Sequence, residues 1–389
     1  MQYLFILGKN PSLSLAEIRA KFNRPLITIL SQNTVLLKLD KTIINPQDTL
    51  NQLGGTIKIA KLITDTVNQE ISANIENIIK EKFSNYRDIG FSYYNFQFNL
   101  NKILIDLKKI LRQAGHNKRF IFENNKNELN AATIKKNKLI SKGSELVIVS
   151  SGKKLYFAQT VAHQDADAYT LRDYGKPKPD SRSGMLPPKL AQIMINLSQP
   201  KPNTTIYDPF CGSGIVLQEA IFMKLKFVGS DISKKAIVQT RENLKWLIKK
   251  FNLEVHDYRA LIQKNIFIAD ATYYKLSEPV DCIVTEPYLG PAHHQIPSED
   301  FAKQIIENLT LLYQKFLQNT NHNLKKNGKL VFVTPVIKTN TRKISLELST
   351  LLDEELSKAY NMIEFNNSEL IYEQPNQKVL RRIIILEKK

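Results

Sequence analysis

Asp208-Pro209-Phe210-Cys211-Gly212-Ser213-Gly214 follows a short apolar run, Thr205–Asp208, and opens a helical pattern. Glycines at such a junction let the backbone turn sharply and approach a ligand closely. The G-x-G-x-x-G spacing of dinucleotide sites is absent, because Leu217 stands where the third glycine would be. No Gly-Lys-Ser/Thr follows either, so the loop is not a phosphate-binding P-loop. Downstream, strand patterns at 227–231, 266–269, 282–285 and 329–334 alternate with helical patterns at 214–223, 234–251 and 301–319. That alternation predicts a mostly parallel, doubly wound Rossmann-like α/β sheet. The runs 369–373 and 379–386 flank Pro375-Asn376, which predicts a terminal hairpin adding an antiparallel edge strand.

Ligands of such sheets bind outside the carboxyl ends of the strands, at the switch point. Asp231 ends the second strand, about 20 residues past the glycine loop, where a carboxylate can accept both hydroxyls of a ribose. Asp270 ends the third and can accept from the exocyclic amine of an adenine. One carboxylate at a strand end is usually only a solvated terminus. Asp208, Asp231 and Asp270 at successive strand ends, after a glycine turn, point to a ligand. The fourth strand runs into Val284-Thr285-Glu286-Pro287-Tyr288-Leu289-Gly290-Pro291.

Upstream lies a different pattern. A strand at 2–7, a helix with Leu15, Ile18 and Phe22 on its apolar face, and strands at 26–30 and 34–39 suggest a small α+β unit over 1–60. A second mixed unit over 61–165 holds strand patterns at 90–100, 120–123, 146–150 and 155–161, and a helix at 101–114. Its last two strands form a hairpin through Ser151-Gly152. Residues 166–188 are rich in Gly, Pro, Lys, Arg and Asp and read as a linker before a helix at 189–197 and a domain over 189–389.

With 389 residues, two or more domains are expected. Lys and Arg number 55 against 37 Asp and Glu, a net charge of +18, which favours a polyanionic partner: RNA, DNA or an anionic membrane surface. The richness in Lys, Asn and Ile also fits a plain compositional bias, so the charge is supporting evidence only. The two cysteines, Cys211 and Cys282, match no zinc spacing and form no disulfide framework, which suits a reducing cytoplasm. The N-terminal apolar run lacks a basic leader and a cleavage site, and no apolar stretch is long enough to span a membrane, so no membrane association is expected.

The loop after the fourth strand resembles the Asp/Asn-Pro-Pro-aromatic loop of class I methyltransferases that act on exocyclic amines of bases. A more specific likeness lies in Asp173-Tyr174-Gly175-Lys176-Pro177 and Gly184-Met185-Leu186-Pro187-Pro188-Lys189-Leu190-Ala191. These resemble the segment ahead of the catalytic domain in the archaeal and eukaryotic tRNA guanosine N2-methyltransferases that act at position 10. The resemblance implies a ferredoxin-like region and a THUMP RNA-binding domain in the N-terminal half, and a class I catalytic domain after them. It implies S-adenosyl-L-methionine held by Asp208, Gly212, Gly214, Asp231 and Asp270, a catalytic Glu286, Pro287 and Tyr288, tRNA as partner and no metal. Eukaryotic relatives use an accessory protein; nothing in this sequence requires one. The family pattern is Thr-Asp-Pro-Pro-Tyr-Gly. Aligned on the strand, Glu286 takes the place of the Asp and Tyr288 that of the second Pro, and Gly290 stays in register. Aligned on Pro-Tyr, Thr285 falls at the Asp position. The rival readings are a DNA adenine N6-methyltransferase and a non-catalytic RNA-binding protein that keeps the cofactor fold.

Other residues have plainer accounts. Cys211 reads as packing, since a nucleophilic cysteine would belong to a Pro-Cys on the fourth-strand loop. Trp246 reads as partly buried core. His293 and His294 read as a polar loop with RNA contact as the alternative. Lys176, Lys178 and Arg182 are evenly placed between phosphate contacts and solvation.

Overall fold

Leu146 to Val149 are four successive buried apolar residues, the signature of a strand covered on both faces. In the computed structural model they form the middle of a sheet that runs through the whole N-terminal region. The structure describes residues 1–67, 70–96, 100–123, 126–179, 185–291, 295–365 and 369–389. The N-terminal elements are β1 (Gln2–Leu7), α1 (Pro11–Lys21), β2 (Leu26–Ser31), β3 (Thr34–Lys38), α2 (Pro46–Asn51), β4 (Thr56–Thr66), α3 (Ile71–Glu81), β5 (Asp88–Tyr94), α4 (Asn101–Gln113), β6 (Arg119–Ile121), α5 (Ala131–Lys136), β7 (Ser144–Ser151) and β8 (Lys154–His163). Among the described residues the eight strands pair in the order β2-β3-β1-β4-β8-β7-β5-β6. Strands from 1–60 and from 61–165 therefore share one sheet, joined by the antiparallel β1–β4 and β4–β8 pairs. Ile71, Ile75, Ile78 and Ile79 of α3 and Leu104, Leu107 and Leu111 of α4 cover one face, packing on Phe91, Ile148 and Phe157. The hairpin at Ser151-Gly152 forms as the sequence predicts.

Four adjacent strands of this sheet carry a buried polar line. Lys58 Nζ lies 2.6 Å from Glu145 Oε1. Ser92 and Thr160 hydroxyls donate to the two Glu145 oxygens at 2.5 and 2.6 Å. A buried ion pair is costly to break from one side, because the remaining charge keeps its desolvation penalty. Lys58→Met is expected to lower the unfolding free energy by about 3 kcal/mol, read from urea titrations, and the double variant Lys58→Met/Glu145→Leu to recover most of it.

The chain divides into two compact units: Met1–Pro11, Pro25–Gln52 and Thr56–Ala166 in the first, and Ser12–Arg24, Leu53–Gly55 and Asp167–Lys389 in the second. Nearly all of α1, expected in the unit over 1–60, thus falls in the second. The physical reason lies in its side chains. Leu13, Ala16 and Ala20 pack on Leu190, Ala191 and Met194. Glu17, fully buried, accepts from Gly54 N at 2.9 Å, Gly55 N at 2.8 Å and Asn196 Nδ2 at 2.7 Å. Gly54 has to be glycine: a Cβ there would lie 2.0 Å from the Lys189 carbonyl oxygen. Burial pushes the Glu17 carboxyl up to about 7, against the pull of those three donors. Its unfolded value is near 4.5, so between these limits the native chain binds more protons than the unfolded one. Stability is expected to fall as pH rises through that window, by up to about 3 kcal/mol from this group. Urea midpoints at pH 5 and 7 should show a smaller decline in Glu17→Gln than in the parent; an equal decline would exclude Glu17 as the source.

The second unit continues with α6 (Ala166–Tyr174), α7 (Pro188–Leu197), β9 (Thr205–Asp208), α8 (Ile215–Phe222), β10 (Lys226–Asp231), α9 (Lys234–Lys250), α10 (Tyr258–Asn265), β11 (Ile266–Ile268), β12 (Val280–Thr285), α11 (Glu299–Asn323), β13 (Leu324–Lys338), β14 (Lys343–Ser345), α12 (Leu348–Leu351), α13 (Glu354–Ala359), β15 (Tyr360–Met362), β16 (Ile371–Tyr372) and β17 (Val379–Lys388). The segment read as a linker is corrected at its start: α6 is helical because Tyr169 and Arg172 are buried there. The sheet order is β11-β10-β9-β12-β13-β17-β15, parallel from β11 to β13 and antiparallel at β17, so this is a mixed Rossmann-like sheet. The terminal hairpin forms as the sequence predicts, β16 pairing antiparallel with β17, but β17 itself is an interior strand, with β13 on one side and β15 and β16 on the other. Alternate residues face the two helical layers: Ile206, Val284 and Val331 meet α7 and α8, while Tyr207, Ile283 and Phe332 meet α11. Strand order reverses between β9 and β12, which opens the crevice for a ligand at their carboxyl ends.

Candidate active site

The glycine loop leaves β9 with Gly212 at φ +50° and Gly214 at φ +86°. Both are left-handed, and at Gly214 a Cβ would also lie 2.9 Å from Thr240 Cγ2. Side chains from α9 hold the turn. Thr240 Oγ1 donates to Gly212 O at 2.7 Å, and Asn243 Nδ2 to Ser213 O at 2.9 Å. Asn243 also exchanges two hydrogen bonds with the Lys178 main chain.

The three strand-end acids meet here in different states. Asp208 is buried and its Oδ1 accepts from Thr285 Oγ1 at 2.6 Å and Phe210 N at 3.2 Å. Burial pushes its carboxyl up to about 7, with Asp231 and Glu286 adding negative charge nearby. Asp208 therefore ties the glycine loop to the end of β12. Asp231 accepts from Gly212 N at 3.0 Å through one oxygen and Ser233 N at 2.8 Å through the other. Asp270 Oδ1 accepts from Thr272 N and Oγ1. Ile232, next to Asp231, is 70% exposed and was not picked out from the sequence.

Glu286, Pro287 and Tyr288 follow β12 directly. Tyr288 is half exposed, and its carbonyl oxygen lies 3.3 Å from the Tyr313 hydroxyl of α11. Gly290 turns the loop at φ +96°. Glu286 is held by a residue that sequence reasoning missed, Arg381 of β17. Arg381 Nε donates to Oε2 at 2.5 Å and Nη2 to Oε1 at 3.2 Å. Arg381 stands opposite Pro335 of β13, and Tyr372 stands beside it on β16. Burial works against its charge, but the Glu286 carboxylate overcomes this and holds the guanidinium pKa above its ordinary value. The sequence carried one signal, paired arginines at 381 and 382 inside an apolar strand.

The remaining candidates sort simply. Cys211 is buried against Thr240, and burial pushes its thiol up, which suits packing. Trp246 is partly buried against Phe251. Lys176 is buried and donates to Asp173 O at 2.9 Å; Lys178 lies 3.7 Å from Glu242. Arg182, Gly184, His293 and His294 lie outside the described residues. Among the described residues no cluster of three or more His, Cys, Asp or Glu is placed to hold a metal, and no helix is long and apolar enough to cross a membrane.

Comparison with known proteins adds to this geometry. The model of the RMKL-like methyltransferase domain family matches residues 176–355, and a DNA methylase model matches 63–242. TrmN from Thermus thermophilus superposes with a TM-score of 0.52 at 15% identity, covering 100% of both chains, a likeness of fold. The matched model and the Rossmann-like sheet identify residues 176–355 as a methyltransferase domain of the class I type. The tRNA (guanine(10)-N2)-dimethyltransferase of Methanothermobacter thermautotrophicus is 33% identical over 174 residues, 45% of this chain and 43% of that protein. A probable tRNA (guanine(10)-N2)-dimethyltransferase of Methanothermococcus thermolithotrophicus is 34% identical over 169 residues, covering 43% of this chain and 89% of that sequence. The chain belongs to this tRNA (guanine(10)-N2)-dimethyltransferase family. It spans less than half the length of the Methanothermobacter relative.

Proposed function

We propose that the protein transfers a methyl group from S-adenosyl-L-methionine to the N2 amine of a guanosine in tRNA, at position 10. The observation that carries the reading is the junction of the two loops: Thr285 donates to Asp208, so the glycine loop and the Glu286-Pro287-Tyr288 loop are locked together at the switch point. The residues present fit the cofactor. Gly212 and Gly214 allow close backbone approach. The Asp231 oxygens, each accepting one backbone N–H, retain lone pairs for ribose hydroxyls, and Asp270 stands one strand further for an adenine amine. Ile232 offers an apolar surface to a flat ring. The bound cofactor supplies an electrophilic methyl on a sulfonium.

The protein's part is alignment and charge. A guanine amine is a poor nucleophile because its lone pair is delocalised into the ring. Glu286 accepts from one amine N–H and so favours the pyramidal nitrogen that attacks. Tyr288 provides an exposed ring on which the base can stack. Held by Glu286 through one N–H, the amine would be aligned for the methyl that the cofactor supplies, and the proton it gives up would pass to water. The N-terminal unit reads as a ferredoxin-like region followed by a THUMP module over 61–165, gripping tRNA by shape and phosphates. That two relatives are named as tRNA (guanine(10)-N2)-dimethyltransferases supports tRNA as the substrate.

The DNA methylase model over 63–242 favours one alternative, adenine N6 in DNA. A single assay separates the two: labelled S-adenosylmethionine with unmodified tRNA or duplex DNA, followed by nucleoside mass spectrometry. N2-methylguanosine in tRNA is the expected product. N6-methyladenine in DNA, or cofactor binding without transfer to any nucleic acid, would replace the reading.

A further inference from the structure

We infer that Arg381 is a positioning residue that adapts this active site to a glutamate. The inference rests on the function proposed above, and it explains a departure from the family loop that the fold alone leaves unexplained. Glutamate is one methylene longer than aspartate, and each added torsion multiplies the places a carboxylate can occupy. A freely rotating Glu286 would present its acceptor to the incoming amine only part of the time. The guanidinium removes that freedom. Its Nε and Nη2 take one carboxylate oxygen each, and the fork is planar and rigid, so both carboxylate position and plane are set.

The anchoring is itself fixed. Arg381 sits within β17, between β13 and β16, and its side chain is 7% exposed against 16% for Glu286. It reaches Glu286 across β13 at Pro335, the residue it opposes in register. Tyr372 lies beside it in the next strand. Its neighbour Arg382 makes separate bonds, to Thr334 at 3.3 Å and Glu369 at 3.1 Å, and so belongs to the sheet rather than to the site. The pair leaves outward lone pairs on the carboxylate for one N–H of the substrate, while the charge that would otherwise repel Asp208 and Asp231 is balanced.

The test is a double-mutant cycle on Glu286→Asp and Arg381→Gln, with the full chain and the nucleic acid that the parent methylates. Arg381→Gln alone is expected to lower kcat by about 10–10²-fold, with little change in KM for S-adenosylmethionine. Arg381→Lys should rescue only in part, because an ammonium is a point charge that fixes one oxygen. In the Glu286→Asp background the shorter carboxylate is outside the fork, so Arg381→Gln should cost much less there than in the parent. Equal losses in both backgrounds would overturn the inference, as would full rescue by lysine. Melting temperatures separate a merely structural arginine, whose removal would lower stability equally in both backgrounds without this coupling in kcat. Failure of the parent itself to methylate any nucleic acid would overturn the function reading, and this inference with it; transfer by the parent with an additive cycle overturns the inference alone.

Discussion

Glu286→Ala is expected to lower the single-turnover rate of methyl transfer by about 10²–10³-fold while leaving S-adenosylhomocysteine affinity unchanged. The same change has two separable consequences. Losing the acceptor removes an interaction that strengthens as the amine becomes pyramidal and then cationic, so the effect falls on the chemical step. Losing the carboxylate also strands the Arg381 guanidinium, whose side chain is only 7% exposed, so some stability is lost as well. Glu286→Gln distinguishes them. Its amide oxygen can still accept from one Arg381 nitrogen, but the negative charge is gone. The glutamine variant should therefore melt nearer the parent than the alanine variant does, yet transfer methyl almost as slowly. Rapid-quench measurement with saturating cofactor reads the chemical step, and calorimetry reads the cofactor site. Transfer by Glu286→Gln within about threefold of the parent would remove Glu286 from the reacting centre and turn attention to the Thr285 register.

What could be read from the sequence, and what could not, follows from the range of the interactions. The α/β half declares itself because its strands are short, contiguous and separated by helices, and because Gly212 and Gly214 must occupy left-handed backbone. Asp208, Asp231 and Asp270 are legible for the same reason: each ends a strand whose limits are local. Arg381 is different. Its partner is 95 residues away, and the two meet only because β17 inserts antiparallel beside β13, which no local period announces. Glu17 is hidden by its type, since a carboxylate in an amphipathic helix reads as solvent-facing until Gly54, Gly55 and Asn196 are brought to it. Of the face expected of α1, Ile18 is fully buried, whereas Leu15 and Phe22 are only half-buried and Leu13, Ala16 and Ala20 are buried in their place. The segment 166–188 misleads because its composition is that of a linker, while two of its residues, Tyr169 and Arg172, are buried enough to order a helix.

Arg172→Ala carries the largest stability loss expected in the second unit, about 4 kcal/mol. Arg172 Nε lies 2.8 Å from Glu219 Oε1, and neither side chain is more than 2% exposed. The guanidinium also lies between two aromatic rings, 4.3 Å from the Tyr169 centroid and 4.2 Å from that of Phe222. Desolvated cation–π contacts of this kind add to the ion pair. Removing the arginine leaves Glu219 on α8 with a buried charge, and its Oε2 already has no hydrogen-bond partner among the described residues. Burial holds the Glu219 carboxyl above its ordinary range even with the arginine present, so the variant will take up a proton there more readily. Arg172→Lys should recover little, since an ammonium cannot fill the planar slot between the rings. Arg172→Met/Glu219→Leu should recover much of the loss by removing both charges at similar volume. Urea midpoints of the four proteins decide the matter; a loss below about 1 kcal/mol in Arg172→Ala would mean that water reaches Glu219. A functional consequence follows through the chain. α6 runs into Lys176 and Lys178, and the Lys178 main chain shares Asn243 with the Ser213 carbonyl of the glycine loop. Loosening α6 should therefore weaken S-adenosylhomocysteine binding in proportion to the stability lost, whereas Glu286 variants leave that binding intact.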